Sequence, residues 1–291
     1  MHKHTFIAAA ITAVLATIST SIRAAEWSDT FLGYRYGTHF AEPFGANDIH
    51  KNIFSLTHGS GYKYGTNFFN VDLLLSDKKD PAFAGSNDGA HEAYVVYRHT
   101  LDIGKVRGQD IKFGPFRGVG LTAGFDFNDK TDAGYNSKKR MVVLGPTLMV
   151  DVPGFFNVSL LALWESNAPY NTFTGKGVSR YTYDTHPMLN LAWGIPFSAG
   201  SVPLSFQGFA NFISSKGKNE FGGGTAPETN IDMQIMYDLS PAAGASKDTF
   251  KVGFEYQYWR NKFGTATTAA GAGAGPGATA KTPMVRVEYH F

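Results

Sequence analysis

The 291-residue chain contains no cysteine, so neither a disulfide framework nor a thiolate metal or redox site is open to it. After residue 25 it also has no apolar run near the about 20 residues that a membrane-spanning helix requires. Net charge is nearly absent, with 26 basic against 24 acidic residues and a formal charge of +2, which leaves no electrostatic footprint for nucleic acid. Catalytic signatures are missing as well: there is no G-x-S-x-G elbow, no H-E-x-x-H and no P-loop. Gly118, Gly120 and Gly124 miss the dinucleotide spacing, and the histidines are scattered without metal-ligand spacing. No cofactor and no metal are implied. The enzyme alternative that survives is a hydrolase pairing a serine with a histidine at a lipid face.

What is present points to export and to strands. A basic start at His2, Lys3 and His4, an apolar stretch from Phe6 to Ile18, and small residues from Ser19 to Ala25 read as a secretory signal peptide over residues 1–25. Arg23 sits badly for cleavage after Ala25, so the cut is placed between Ser21 and Ala25. Residues 26–291 then form a single domain with 24 bases against 24 acids, because the leader removes only Lys3 and Arg23.

The far end of the chain alternates apolar and polar residues up to the carboxylate. Val285, Val287, Tyr289 and Phe291 share one face, and Arg286, Glu288 and His290 share the other. Such switching at every residue is what a strand between lipid and an aqueous lumen requires. Runs of this kind, about 9 to 11 residues long, fall near 29–40, 51–59, 63–76, 90–101, 119–128, 139–150, 155–165, 185–195, 202–213, 230–239, 250–260 and 283–291. Their even number predicts an all-β, transmembrane, antiparallel up-and-down β-barrel of 12 strands. With 33 glycines and 14% aromatics, the composition supplies turns and interfacial girdles rather than helices.

Connection lengths alternate, with the long ones expected outside the cell and the short ones in the periplasm. The short links are read at Gly59 to Tyr62, Asp151 to Gly154, Pro196 to Gly200 and Ser240 to Thr249; residues 102–118 are the exception. The Ala/Gly-rich run Ala269 to Ala278 falls at the tip of the last outer loop. Loop bases such as Lys78, Lys138, Arg140, Lys176, Arg180 and Lys262 make lipopolysaccharide phosphates an expected partner beside outer-membrane lipid, with simple solvation as the alternative.

The register places polar groups inside nearly every strand. The lumen candidates for substrate binding are Arg35, Phe68, Asn70, Asp72, Glu92, Tyr94, Arg98, Gln207, Phe209, Asp232, Glu255, Trp259, Arg286 and Glu288, with His39 also facing in. Twelve strands close at a backbone diameter of roughly 24 Å, leaving a wet slot of roughly 10 Å between the side chains. Phe68, Tyr94, Phe209 and Trp259 offer faces on which a flat solute stacks, or else act as filler. The inward acids outnumber the inward bases, which predicts that phosphorylated solutes are disfavoured.

Tyr34 to Phe40, Glu42-Pro43-Phe44, Asn47-Asp48, Tyr62-Lys63-Tyr64-Gly65, Asn67-Phe68-Phe69, Asp72, Phe113-Gly114-Pro115-Phe116 and the terminal Phe291 together resemble the Tsx-like family of nucleoside-specific outer-membrane channels, including its OmpK-type members. The resemblance implies a monomeric twelve-stranded barrel in the bacterial outer membrane that passes nucleosides by passive diffusion. It also implies bacteriophage as partners of some members, and no enzymatic activity. Three alternatives stay open: a non-selective small diffusion pore, a receptor or adhesion barrel acting through its outer loops, and a soluble exported β protein.

Phe291 resembles the terminal aromatic tag read by the barrel-assembly machinery. Deleting it should leave periplasmic, protease-sensitive protein in fractionated cells; normal outer-membrane levels of heat-modifiable protein would contradict that role.

Overall fold

The structure is a computed structural model that describes residues 25–45, 47–171, 176–267 and 275–291. The signal-peptide assignment, apart from Ala25, and residues 269–274 of the Ala/Gly run lie outside the described residues. Twelve long strands follow one another: β1 Trp27–Phe40, β2 Ile49–Tyr62, β3 Gly65–Ser76, β4 His91–Asp102, β5 Phe116–Lys130, β6 Arg140–Val150, β7 Phe155–Asn167, β8 His186–Ala199, β9 Val202–Ile213, β10 Glu228–Asp238, β11 Phe250–Arg260 and β12 Thr279–His290. Each pairs antiparallel with the next. β12 returns to β1 from Phe31↔His290 to Gly37↔Met284, so the sheet closes on itself. Each strand read from the sequence appears, with ends displaced by a few residues.

Period-two alternation determines both walls. Outward rows such as Leu121–Ala123–Phe125–Phe127 and Leu160–Ala162–Trp164 form an apolar belt, and Phe254 on β11 stands 76% exposed. An aqueous surface gives no reason to leave so many large apolar side chains uncovered, whereas lipid does. Inward rows carry Arg35, Asp126, Glu165, Asp232, Glu255 and Glu288, all buried.

One end of the barrel has short connections. Lys63–Tyr64 joins β2 to β3 through the pair Tyr62↔Gly65, and Gly200–Ser201 joins β8 to β9 with Gly200 at φ 64°. The expected turn at Gly59 to Tyr62 is therefore displaced by a few residues. Gly61 is a strand glycine covered by Trp27, whose Nε1 lies 2.1 Å from where a Cβ would stand. The long exception, 102–118, contains the helix α1 Ile103–Arg107. Its N-terminus is capped by the Asp102 carboxylate, which accepts from Lys105 N at 3.1 Å, and it ends on Gly108 in the left-handed conformation.

His39 departs from the expected register. The β1–β2 pairing shifts between Gly37 and Phe40, and His39 takes φ 61°. This bulge turns Phe40 inward and leaves the His39 side chain 64% exposed beside Asp48. At the other end of the last loop, the run Gly275–Ala278 forms a 3-10 turn rather than a free tip. Ala278 is buried, and the Gly277 backbone approaches the Glu42 carbonyl so closely that a Cβ would clash at 2.0 Å.

The Gly61–Trp27 contact predicts that Gly61→Val lowers barrel stability by about 1–3 kcal/mol through overpacking. The urea midpoint of heat-modifiable mobility should fall, and Trp27→Ala in the same chain should restore most of it. No change in Gly61→Val would contradict the contact.

Candidate functional site in the barrel lumen

The interior divides into a charged wall, an apolar patch near the long-loop end and a closed mouth. The charged wall is built from alternate residues of β10, β11, β12 and β1, neighbours that the closure brings side by side, with Asp72 of β3 reached across β2. Arg35 bridges Asp72 at 2.6 Å and Glu255 at 3.0 Å. Arg286 holds the other Glu255 oxygen at 2.7 Å and Glu288 at 2.6 Å, and donates to Gln234 at 3.1 Å. Asp232 accepts from Gln257 on the same wall. A buried carboxylate would be strongly unfavourable alone; here each has a guanidinium or amide in direct contact. A second group on β4 and β5 joins Arg98 to Asp126 at 2.5 Å, with the Tyr94 hydroxyl donating to the same carboxylate at 3.0 Å.

The lumen candidates read from the sequence all lie on inward rows, but in different surroundings. Arg35, Asp72, Glu255, Arg286, Glu288 and Asp232 belong to the first network, and Arg98 and Tyr94 to the second. Glu92 accepts from Asn128 at 2.6 Å near the long-loop end. Asn70 accepts from Thr57, and Gln207 accepts from Gln234. Phe209 shares the Gln207 row and pairs with Asp232 in register. Phe68 shares the Asn70–Asp72 row opposite Arg98 and is 43% exposed at the short-turn end. Trp259 is no free stacking face: its indole donates to Glu228 at 2.6 Å, and it packs edge-on against Phe263.

Facing the charged wall, β6 to β9 point Met141, Val143, Leu161, Leu163, Met188 and Ile213 inward as one buried cluster. The expected wet slot is therefore absent from the long-loop half, which side chains fill. Above it the loops fold into the mouth. Glu42, from the first long loop, receives Lys51 at 2.7 Å, Lys262 at 3.0 Å and Lys130 at 3.3 Å, all on Oε1. Lys130 also binds Asp132 at 2.5 Å and Asp80 at 3.0 Å. Across the opening, Tyr135 and Tyr183 both donate to Glu220, Tyr135 stacks near Phe44 and Phe263, and Lys216 binds Glu165 at 2.6 Å. Six long loops thus meet over the lumen.

This mouth was not foreseen. Lys51 and Lys130 continue the inward rows of Ser55–Thr57 and Asp126–Asn128, so parity alone places them; Glu42, Asp80, Asp132 and Glu220 carry no periodic signal. Their inclusion changes the charge balance. The buried lysines narrow the acidic excess without removing it, because Glu42, Asp80 and Asp132 enter with them and the buried acids still outnumber the buried lysines and arginines.

No protein-family model matches the chain, and no curated protein sequence matches it. Among solved structures, the translocator domain of the autotransporter NalP from Neisseria meningitidis is 12% identical, with 98% of this chain and 96% of that chain covered and a TM-score of 0.41. The transport unit of the autotransporter AIDA-I from Escherichia coli is 11% identical over 98% and 97%, with a TM-score of 0.36. OpdK of Pseudomonas aeruginosa, solved with vanillate, is 10% identical over 92% and 99%, with a TM-score of 0.26. The fold assignment rests on the closed ladder and the apolar belt, not on these likenesses.

Burial raises the Glu42 carboxyl, but the charges of Lys130, Lys262 and Lys51 overturn that and hold it well below the usual carboxylate range. With a depressed value, its contribution is fully present above the ordinary carboxylate pKa and is lost only as pH falls through the folded-state value. The mouth should therefore stay closed at mildly acidic pH. Glu42→Gln leaves three lysines without their shared anion, a loss of about 3–5 kcal/mol for a broken buried pair. Single-channel conductance of that variant should rise while heat-modifiability is retained, and a conductance equal to wild type would show that these contacts do not close the lumen.

Proposed function

We propose that the chain is an outer-membrane channel for passive diffusion of small polar solutes, with its long loops at the cell surface and nucleosides as the solute class its lumen suits. Phe68 is the observation that carries the reading. Its ring faces inward yet stays exposed, in the half of the barrel that the loops do not fill, on one row with Asn70 and Asp72 and across the ladder from Arg98. A flat, hydrogen-bonding solute has both a face for that ring and edges for those polar groups. The resemblance of Tyr62-Lys63-Tyr64-Gly65 and Asn67-Phe68-Phe69 to nucleoside-specific channels supports the same class. The apolar belt supports the membrane, and the single closed ladder supports a monomer.

The test is a planar-bilayer recording of wild type, Phe68→Ala and Phe68→Tyr, each also in the Glu42→Gln background so that a closed mouth is not mistaken for lack of binding. Adenosine and thymidine should block wild-type current transiently. Loss of a stacking contact worth about 1–3 kcal/mol should weaken block by about 5-fold to 150-fold in Phe68→Ala, and Phe68→Tyr should keep it. Undisturbed current at millimolar nucleoside in both backgrounds would overturn nucleoside selectivity and leave a non-selective pore.

A further inference from the structure

The lipid-facing side of β6 and β7 has a feature that a solute channel does not need. Opposite Leu160 and Leu161 the β6–β7 ladder is interrupted: pairs run to Leu144↔Ala162 and resume at Thr147↔Ser159, with Gly145 and Pro146 between them unpaired. Pro146 has no N–H to donate. A groove of about 370 Å³ opens there, lined by Leu144, Pro146, Leu160, Ala162, Thr185 and Pro187. The groove is open to the surface and mostly apolar, so an alkyl segment can lie along it.

Directly above the groove stand two arginines. Arg140 pairs in register with Ser166 on the outward row of β7, and Arg180, in the loop beside the other edge of β7, donates to the Ser166 hydroxyl at 3.1 Å. Both guanidiniums are exposed. Arg35, Arg98 and Arg286 each hold a carboxylate, whereas Arg140 and Arg180 hold none among the described residues. Partial burial, and then the charge of Arg140, lowers the pKa of Arg180, which places two unneutralised cations beside each other. Trp164 lies between this pair and the groove, outward and 46% exposed, where an amphipathic ring marks a membrane–water boundary. Ser166 to Ala162 spans four residues, roughly 14 Å along the strand.

We propose that this face binds a phosphorylated, acylated glycolipid of the outer leaflet, with the phosphate between Arg140 and Arg180 and one acyl chain in the groove below Trp164. The inference rests on the outer-membrane reading above, with the long loops at the cell surface. Planar, paired donors suit phosphate oxygens, and the spacing from cation pair to groove matches a headgroup joined to a chain. The lysines of the mouth are neutralised by Glu42, Asp80 and Asp132, so they do not compete for this ligand.

The test is native mass spectrometry of the detergent-purified barrel titrated with bis-phosphorylated lipid A, the same lipid without phosphates, phosphatidylglycerol and inorganic phosphate. Wild type should retain lipid A. Dephosphorylation of the lipid, or the double variant Arg140→Ala with Arg180→Ala, should weaken binding by about 10-fold or more, and Ala162→Phe should weaken it by filling the groove. Double-variant binding within about 2-fold of wild type, equal retention of phosphatidylglycerol, or equal occupancy by inorganic phosphate would overturn the proposal. Heat-modifiable mobility and membrane fractionation of the same variants separate this outcome from failure of the barrel reading, because a variant that inserts normally but does not bind lipid A leaves the channel assignment untouched.

Discussion

Backbone hydrogen bonding in lipid is the constraint from which the rest of this molecule follows. A strand inside a bilayer cannot leave N–H and C=O groups unpaired, so the sheet has to close. Closure is made by β12 on β1, from Phe31↔His290 to Gly37↔Met284. Once the two ends pair, residue parity is fixed around the whole ring, since a slip of one residue would turn Arg286 and Glu288 into lipid and Val285 and Val287 into the lumen. The ion network Asp72–Arg35–Glu255–Arg286–Glu288 crosses that seam. Its geometry depends on the first and last strands being neighbours.

The strand map was legible because alternation is a strong signal when both faces are demanding. On β7, Phe156, Val158, Leu160, Ala162 and Trp164 answer to lipid, and Asn157, Ser159 and Glu165, with Leu161 and Leu163 between them, to the interior. The signal failed where a local event broke the period. At His39 a positive-φ bulge absorbs one residue, and no composition rule marks it. At Gly61, glycine reads as turn punctuation in the sequence, whereas the Trp27 ring covering it is what makes glycine necessary. In the loops there is no period at all, so the burial of Glu42, Asp132 and Tyr135 was invisible. Charged loop residues look solvated until a partner is placed beside them.

The lumen is two-sided toward its long-loop end, which a count of inward polar residues conceals. β10, β11, β12, β1 and β3 present ionised groups held in fixed pairs; β6 to β9 present methionine, leucine, valine and isoleucine near the loops, and Thr147, Ser159, Asn190 and Asn211 further down. The apolar patch carries no distinct signal in the sequence, because an apolar residue at an inward position looks like ordinary strand composition. The hydrocarbon surface is thus confined to the long-loop end, and below it hydroxyls and amides continue the polar lining across β5 to β9.

The chemistry of the mouth decides how readily it can open. A hydrophobic latch loses its stabilisation in full when its side chains separate into water. Here the contacts are carboxylates and ammonium groups taken out of water at a desolvation cost comparable with their mutual attraction. When Glu42 and Lys262 part, each regains its hydration, so separation of the loops costs far less than the short distances suggest. Glu42 also gathers all three lysines on Oε1, while its buried Oε2 has no hydrogen-bond partner among the described residues. A group with one oxygen crowded and the other unsatisfied is only partly compensated in the closed arrangement. The mouth is thus held by many short contacts and by a modest net free energy, so its closed arrangement is specified by geometry more than by depth of binding.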